Sequence, residues 1–211
     1  MDDVEDGGTV TARDWSGRDL SALRLAGVTF TDVDLSETTS TGATFDGCTF
    51  VGCTFGSSRH EGSAFTSCTF RKASFFDATL IGCKVMGSEL TACTLRPLLV
   101  RGGNWAFVRL RGADLRGVVL DGVRLVEADL TDVNLTGASV IGCDLAGAEL
   151  RSAVLTGADL RGSRLDGVDP TAPRWDGARV DLPQAVVLAE ALGVRVDVGP
   201  VVDGPVVDGP A

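Results

Sequence analysis

From Leu110 to Gly122 the chain reads Leu110-Arg111-Gly112-Ala113-Asp114-Leu115-Arg116-Gly117-Val118-Val119-Leu120-Asp121-Gly122. Leucine returns every fifth residue, a compact residue (Ala113, Val118) precedes it by two places, and glycine follows it by two. Extended outward, the same frame runs from Trp15 to Val180 without one insertion. Of the 34 positions reached in steps of five, 31 hold Phe, Leu, Val or Trp, and the exceptions are Ser40, His60 and Pro170. A period of five suits neither a helix, which repeats near 3.6, nor a flat strand, which alternates every two. The chain must therefore turn a corner in each repeat. One large and one small inward residue per repeat, with glycine near each corner, describe a square-section solenoid whose axis the large residue fills. Rungs of this kind stack, each covering the apolar edge of its neighbour.

The units Ala113-Asp114-Leu115-Arg116-Gly117, Ala128-Asp129-Leu130-Thr131-Asp132 and Ala158-Asp159-Leu160-Arg161-Gly162 resemble the A(D/N)LXX signature of the pentapeptide repeat proteins. The likeness holds in register over about four-fifths of the chain. It implies an all-β solenoid, a right-handed quadrilateral β-helix with four repeats per coil. Four further runs are similar to the fluoroquinolone-resistance members of that family. They are His60 to Phe65, Cys68-Thr69-Phe70, Leu95-Arg96-Pro97-Leu98, and Ala178 to Asp181 ahead of Gln184-Ala185-Val186. That resemblance implies a homodimer with the size and charge of B-DNA whose partner is DNA gyrase, a type II topoisomerase.

Composition sets outer limits. The 211 residues contain no Tyr, two Met and 27 Gly, which is the composition of a repeat rather than of a mixed core. The formal net charge of −10 disfavours nucleic acid or an anionic membrane as partner. No apolar run approaches the ~20 residues of a membrane span, and the acidic opening Met1-Asp2-Asp3-Val4-Glu5-Asp6 does not read as a signal peptide. A cytoplasmic location is expected. Cys48, Cys53, Cys68, Cys83, Cys93 and Cys143 all share the small inward offset and form no CxxC pair, so they read as reduced core residues. Neither a metal nor a cofactor is expected.

In chain order, residues 1–12 read as an acidic lead without frame, expected to be disordered. The repeats occupy 13–182, with Phe favoured on the ruler in the first half and Leu in the second. At Pro97 the pattern admits two readings, a local kink or a corner that tolerates proline. Asp169-Pro170-Thr171-Ala172-Pro173 reads as a fraying last coil. Residues 183–198 are expected to form a short helix and a short strand, with Asp181 as cap, Pro183 in the first turn and Gly193 as the stop. The helix would cover the open solenoid end, and Val186, Val187, Leu188, Ala191 and Leu192 give it more apolar surface than one face needs. Those five are the candidate dimer contact. Residues 199–211 repeat Val-Val-Asp-Gly-Pro and read as a flexible tail.

Nothing in the sequence carries catalytic chemistry. There is one histidine, no Cys/His pairing, no phosphate loop and no metal-ligand spacing, so an enzyme is not expected. Ser40 and His60 share a column one coil apart, which suits either a functional notch or a bonded pair accommodated in the stack.

The charge count is instructive. Residues 13–182 hold 21 carboxylates against 18 cations. At four repeats per coil the ruler spans about 40 Å, for a strand spacing of ~4.8 Å. Duplex DNA of that length carries roughly 24 negative charges, so the body is a poor bulk polyanion. Two adjoining columns, through Trp15 and through Phe30, hold the acidic excess. The candidate partner-binding residues are therefore Asp14, Asp34, Glu37, Asp77, Asp114 and Asp176 on the first, and Asp129, Asp132 and Glu149 on the second. Two functions compete. One is a DNA mimic that binds gyrase, modulating or inhibiting it and protecting it from fluoroquinolones or a natural toxin. The other is an intracellular β-helical scaffold for an unrelated protein partner.

Overall fold

The computed structural model describes residues 4–197. The chain winds as a parallel β-solenoid in which each coil consumes twenty residues, so Val10 pairs with Phe30, Phe30 with Phe50 and Phe50 with Phe70. Each coil has four sides. Three carry parallel sheets, with the strands around Phe30, around Leu80 and around Phe45 as their members. The fourth side, through Trp15, is a ladder of single bridges: Asp14 to Asp34, Asp34 to Thr54, Thr54 to Ser74, Ser74 to Thr94.

The five-residue period has a backbone cause. At nearly every corner, the residue two places after the ruler is left-handed, for instance Gly117 at φ +67°. Glycine takes that conformation without the Cβ clash that costs other residues about 1–2 kcal/mol. Among the described residues twelve non-glycine residues also accept it, including Glu37, Asp77, Phe107 and Asp132.

Ruler residues fill the axis. Phe30, Phe50 and Phe70 stack coil on coil with centroids 4.7 and 4.8 Å apart and rings within 5° of parallel. Phe55 and Phe75 repeat the arrangement at 4.7 Å. Past Phe75 the axis is built mainly from leucine, Leu110 to Leu165, nearly all buried. The small offset column packs between the axis and the wall. There the cysteine thiols lie against carbonyls of the coil beneath, as Cys83 Sγ does 3.2 Å from the His60 carbonyl oxygen. All six cysteines are free.

Several expectations need correction. The solenoid begins before Arg13: Thr9–Thr11 pairs with Thr29–Thr31, Val10 is buried, and the Gly7 amide donates to the Ala26 carbonyl at 2.8 Å. Val10 lies one step ahead of Trp15 on the same ruler, so apolar burial recruits it despite its acidic neighbours. Pro97 does not shift the register, because Ala78–Ile81 still pairs with Leu98–Arg101. Proline interrupts one side only: among the described residues the bridge ladder stops at Thr94 and resumes at Asp114. The last coil stays paired, with Arg174 bridging Val154 and Arg179 bridging Asp159.

The helix spans Leu182–Ala191. Asp181 caps it, accepting the Gln184 amide while the Gln184 side chain accepts the Asp181 amide. Buried Gln184 also donates to the carbonyls of Leu160 and Ser163, which anchors the helix to the final coils. Residues 194–197 form no strand; all four are exposed, so no apolar burial holds them in an extended pairing. Val198 and the Val-Val-Asp-Gly-Pro tail lie outside the described residues.

Candidate partner-binding surface

The Trp15 side of the solenoid brings together only part of the acidic set, and the Pro97 interruption divides it. On its N-terminal half, Asp14 and Asp34 occupy adjacent bridged rungs. Asp14 accepts the Ser16 hydroxyl at 2.6 Å and the Ser16 amide at 2.9 Å. Asp34 accepts the Ser36 amide at 2.9 Å and the Thr54 hydroxyl at 2.7 Å. Bonds from Ser16 hold the Asp14 carboxyl below its ordinary range, and bonds from Ser36 and Thr54 do the same for Asp34. Glu37 and Asp77 are exposed at left-handed corners of the same edge, two coils apart, with the Ser57 hydroxyl 3.3 Å from Asp77. Among the described residues, no Arg or Lys lies within bridging distance of Asp14, Asp34, Glu37 or Asp77.

The C-terminal half differs. Asp114 is clamped between Arg96 at 2.8 Å and Arg116 at 2.7 Å, and bonds from Arg116 hold its carboxyl at about 2. Asp176 faces Arg174 at 3.8 Å. On the adjoining Phe30 side, Asp132 pairs with Arg111 at 3.6 Å and Glu149 with Arg151 at 3.6 Å. Asp129 bridges to Glu149 through the backbone and has no cation partner among the described residues. Of the candidate carboxylates, those without a cation partner among the described residues are thus Asp14, Asp34, Glu37 and Asp77 on the Trp15 side and Asp129 on the adjoining side. Sequence reasoning missed Asp32, exposed and left-handed beside Asp34; its signal was a non-glycine residue at a corner otherwise favouring glycine.

The columns through Leu20 and Leu25 carry no net charge, and the one through Leu20 holds the expected polar pair. Ser40 and His60 are fully enclosed, with Ser40 Oγ 2.6 Å from His60 Nδ1 and 2.7 Å from Ser63 Oγ. This is an accommodation inside the core, not a notch open to a partner. Among the described residues, no group of His, Cys, Asp or Glu is arranged to hold a metal, and no helix is long and apolar enough to cross a membrane.

The family profile for pentapeptide repeats matches in eight copies, over residues 19–59, 106–137 and 134–169. The chain is a pentapeptide repeat protein. Its coils superpose on two trypsin-treated variants of QnrB1, described as a plasmid-mediated fluoroquinolone resistance protein. The TM-scores are 0.70 and 0.54, at 18% and 22% identity, and each match covers 92% of this chain and 99% of the other. That likeness is one of fold. No curated protein matches this pentapeptide repeat protein significantly in sequence.

In the pentapeptide repeat helix of this chain, apolar surface remains at the C-terminus. Leu182 and Leu192 are 78% and 56% exposed, Val194 and Val196 are also exposed, and Ala191 lies open. Val186, Val187 and Leu188 are half-buried, Leu188 against the core. Of the five candidate contacts, Ala191 and Leu192 are thus the freest.

Proposed function

We propose that this pentapeptide repeat protein binds DNA gyrase by standing in for duplex DNA, and so modulates or inhibits the enzyme and shields it from fluoroquinolones or a natural gyrase toxin. The observation that carries this reading is the edge of four unbridged carboxylates, Asp14, Asp34, Glu37 and Asp77, displayed on rungs of a rigid rod. Asp14 and Asp34 stand on adjacent rungs about 4.8 Å apart, Glu37 shares the Asp34 coil and Asp77 lies two coils further on, so together they present a negative edge to a cationic DNA channel. The shared fold with QnrB1 supports the same direction. The protein acts by binding rather than catalysis. It works as a homodimer paired through the C-terminal helix, in the cytoplasm where gyrase works, and pairing at that end sets one acidic edge toward each far end of the dimer. It contacts gyrase rather than nucleic acid.

Gyrase supercoiling and direct binding, each measured across a salt series, test this. Encounter steered by charge weakens as the screening length falls below ~10 Å, its value at 0.1 M salt. Replacing Asp14, Asp34, Glu37 and Asp77 together by Lys is expected to abolish inhibition. The same change at Asp46 and Asp121, on neutral columns, is expected to leave it. Equal effects from both sets, or inhibition indifferent to salt, would overturn the mimic. The scaffold reading then takes its place, favoured by the Arg–carboxylate pairs that neutralise the C-terminal half.

A further inference from the structure

A track of carboxylates alone offers the partner nothing that DNA does not. One feature of the acidic edge is foreign to DNA. Phe76, immediately before Asp77 and off the ruler, is 54% exposed, in a chain whose seven ruler phenylalanines are all buried. The equivalent corner one coil below is Gly56, which has no side chain, and two coils below is Ser36. One coil above is Arg96, whose guanidinium is engaged by Asp114. The aromatic ring thus stands at the end of the unbridged carboxylates, beside the place where the bridge ladder stops at Thr94.

A second exposed aromatic provides the contrast. Phe107 is 50% exposed with Met86 nearby on the diagonally opposite corner. There the neighbouring Lys84 and Arg124 have no carboxylate partner, while the exposed Glu127, one coil above Phe107 at the same corner, has no cation partner among the described residues. Phe107 and Phe76 are alike in exposure, but Phe107 stands among charges of both signs whereas Phe76 adjoins Asp77 on the edge of unbridged carboxylates, so charge complementarity to a cationic surface favours Phe76.

Resting on the mimic reading, we propose that Phe76 is the apolar anchor of the acidic edge. It enters an apolar recess bordering the cationic DNA channel of the type II topoisomerase and distinguishes this rod from DNA itself. The carboxylates of Asp34, Glu37 and Asp77 steer encounter and set its salt dependence, whereas burial of one aromatic ring slows release and is insensitive to salt. Desolvated aromatics of this kind dominate interface energies, while rim charges govern the on-rate.

The experiment is kinetic binding of the full chain to purified gyrase at several salt concentrations, for the wild type, F76A, F76L, F107A and the four-Lys edge variant. F76A is expected to weaken binding at least tenfold through a faster off-rate, with the slope of log affinity against log salt unchanged. F76L, which keeps an apolar side chain, is expected to recover part of the loss, and F107A to stay within twofold of wild type. Phe76 is exposed, so thermal melting of F76A should match wild type and exclude a folding cause. If F76A binds as wild type while the four-Lys variant is weakened, the anchor is overturned and the mimic stands. If F76A changes the salt slope, or F107A is as damaging, the assignment of Phe76 is also overturned. If the wild-type protein does not bind gyrase, both readings fall together.

Discussion

Ser40 Oγ lies 2.6 Å from Nδ1 of His60 on the next rung, while His60 Nε2, on the far side of the ring, has no partner among the described residues. A neutral imidazole satisfies that arrangement; an imidazolium would bury an unpaired charge among Phe55 and Phe65. Burial accordingly pushes the His60 pKa down from 6.5 to about 4.

The sign follows directly. A histidine whose folded value lies below its unfolded value contributes stability that is complete above about 6.5 and is lost as pH falls toward 4. Urea melts at pH 7.5 and pH 5 should differ by about 2 kcal/mol from this residue. His60→Leu should remove that dependence, since Ser40 retains Ser63 as partner. An unaltered pH profile in His60→Leu would assign the acid sensitivity to the carboxylates.

The cysteines predict a labelling order. Cys48, Cys53, Cys68, Cys83 and Cys143 are buried, and burial pushes the Cys53, Cys83 and Cys143 thiols up, Cys143 to about 11. Cys93 is half-buried. A thiol reagent should reach Cys93 first and the other five only on unfolding, as progress curves with and without denaturant can show. Fast native labelling of several thiols would mean that the inward phase is wrong.

Two glycines separate backbone conformation from space. At Gly103, φ +90°, an added Cβ would run into the backbone carbonyl oxygen and amide nitrogen of Cys83. At Gly117, φ +67°, it would meet nothing. Gly117→Ala should cost about 1 kcal/mol and Gly103→Ala several times more, read from denaturant midpoints. Equal costs would show that coils part easily at Cys83.

Phe50 tests the stack. It is buried between Phe30 and Phe70. Phe50→Ala should lose roughly 3–5 kcal/mol, near the limit of what a domain of ordinary stability tolerates. A loss under about 1 kcal/mol would mean that the neighbouring rings collapse into the gap.

The C-terminal helix carries the assembly prediction. Deleting the chain from Pro183 removes the Gln184 bonds that hold the last coils and the exposed Leu192. Light scattering should then report monomer or aggregate. A well-behaved dimer from that truncation would place the contact on another surface.

What the sequence settled by itself is everything that depends on local period. A repeat of five with a large residue, a compact residue and a glycine fixes which side chains face in, where corners fall and why cysteines are core. These are properties of one coil copied along the chain. The Asp181 cap was likewise legible, because a helix cap is a contact between near neighbours, whereas the bonds of Gln184 to Leu160 and Ser163 reach back more than twenty residues. What only the tertiary structure decided are relations twenty residues apart. Carboxylates that share a column look equivalent in sequence, yet Asp34 meets the Thr54 hydroxyl one coil on while Asp114 meets Arg96 one coil back. Whether a charge is free or neutralised depends on rotamers and on the residue in the next rung, which no count along a column contains. The interruption of one side at Pro97 and the capture of Val10 by the first coil belong to the same class. Each depends on what the adjoining coil offers for pairing or burial.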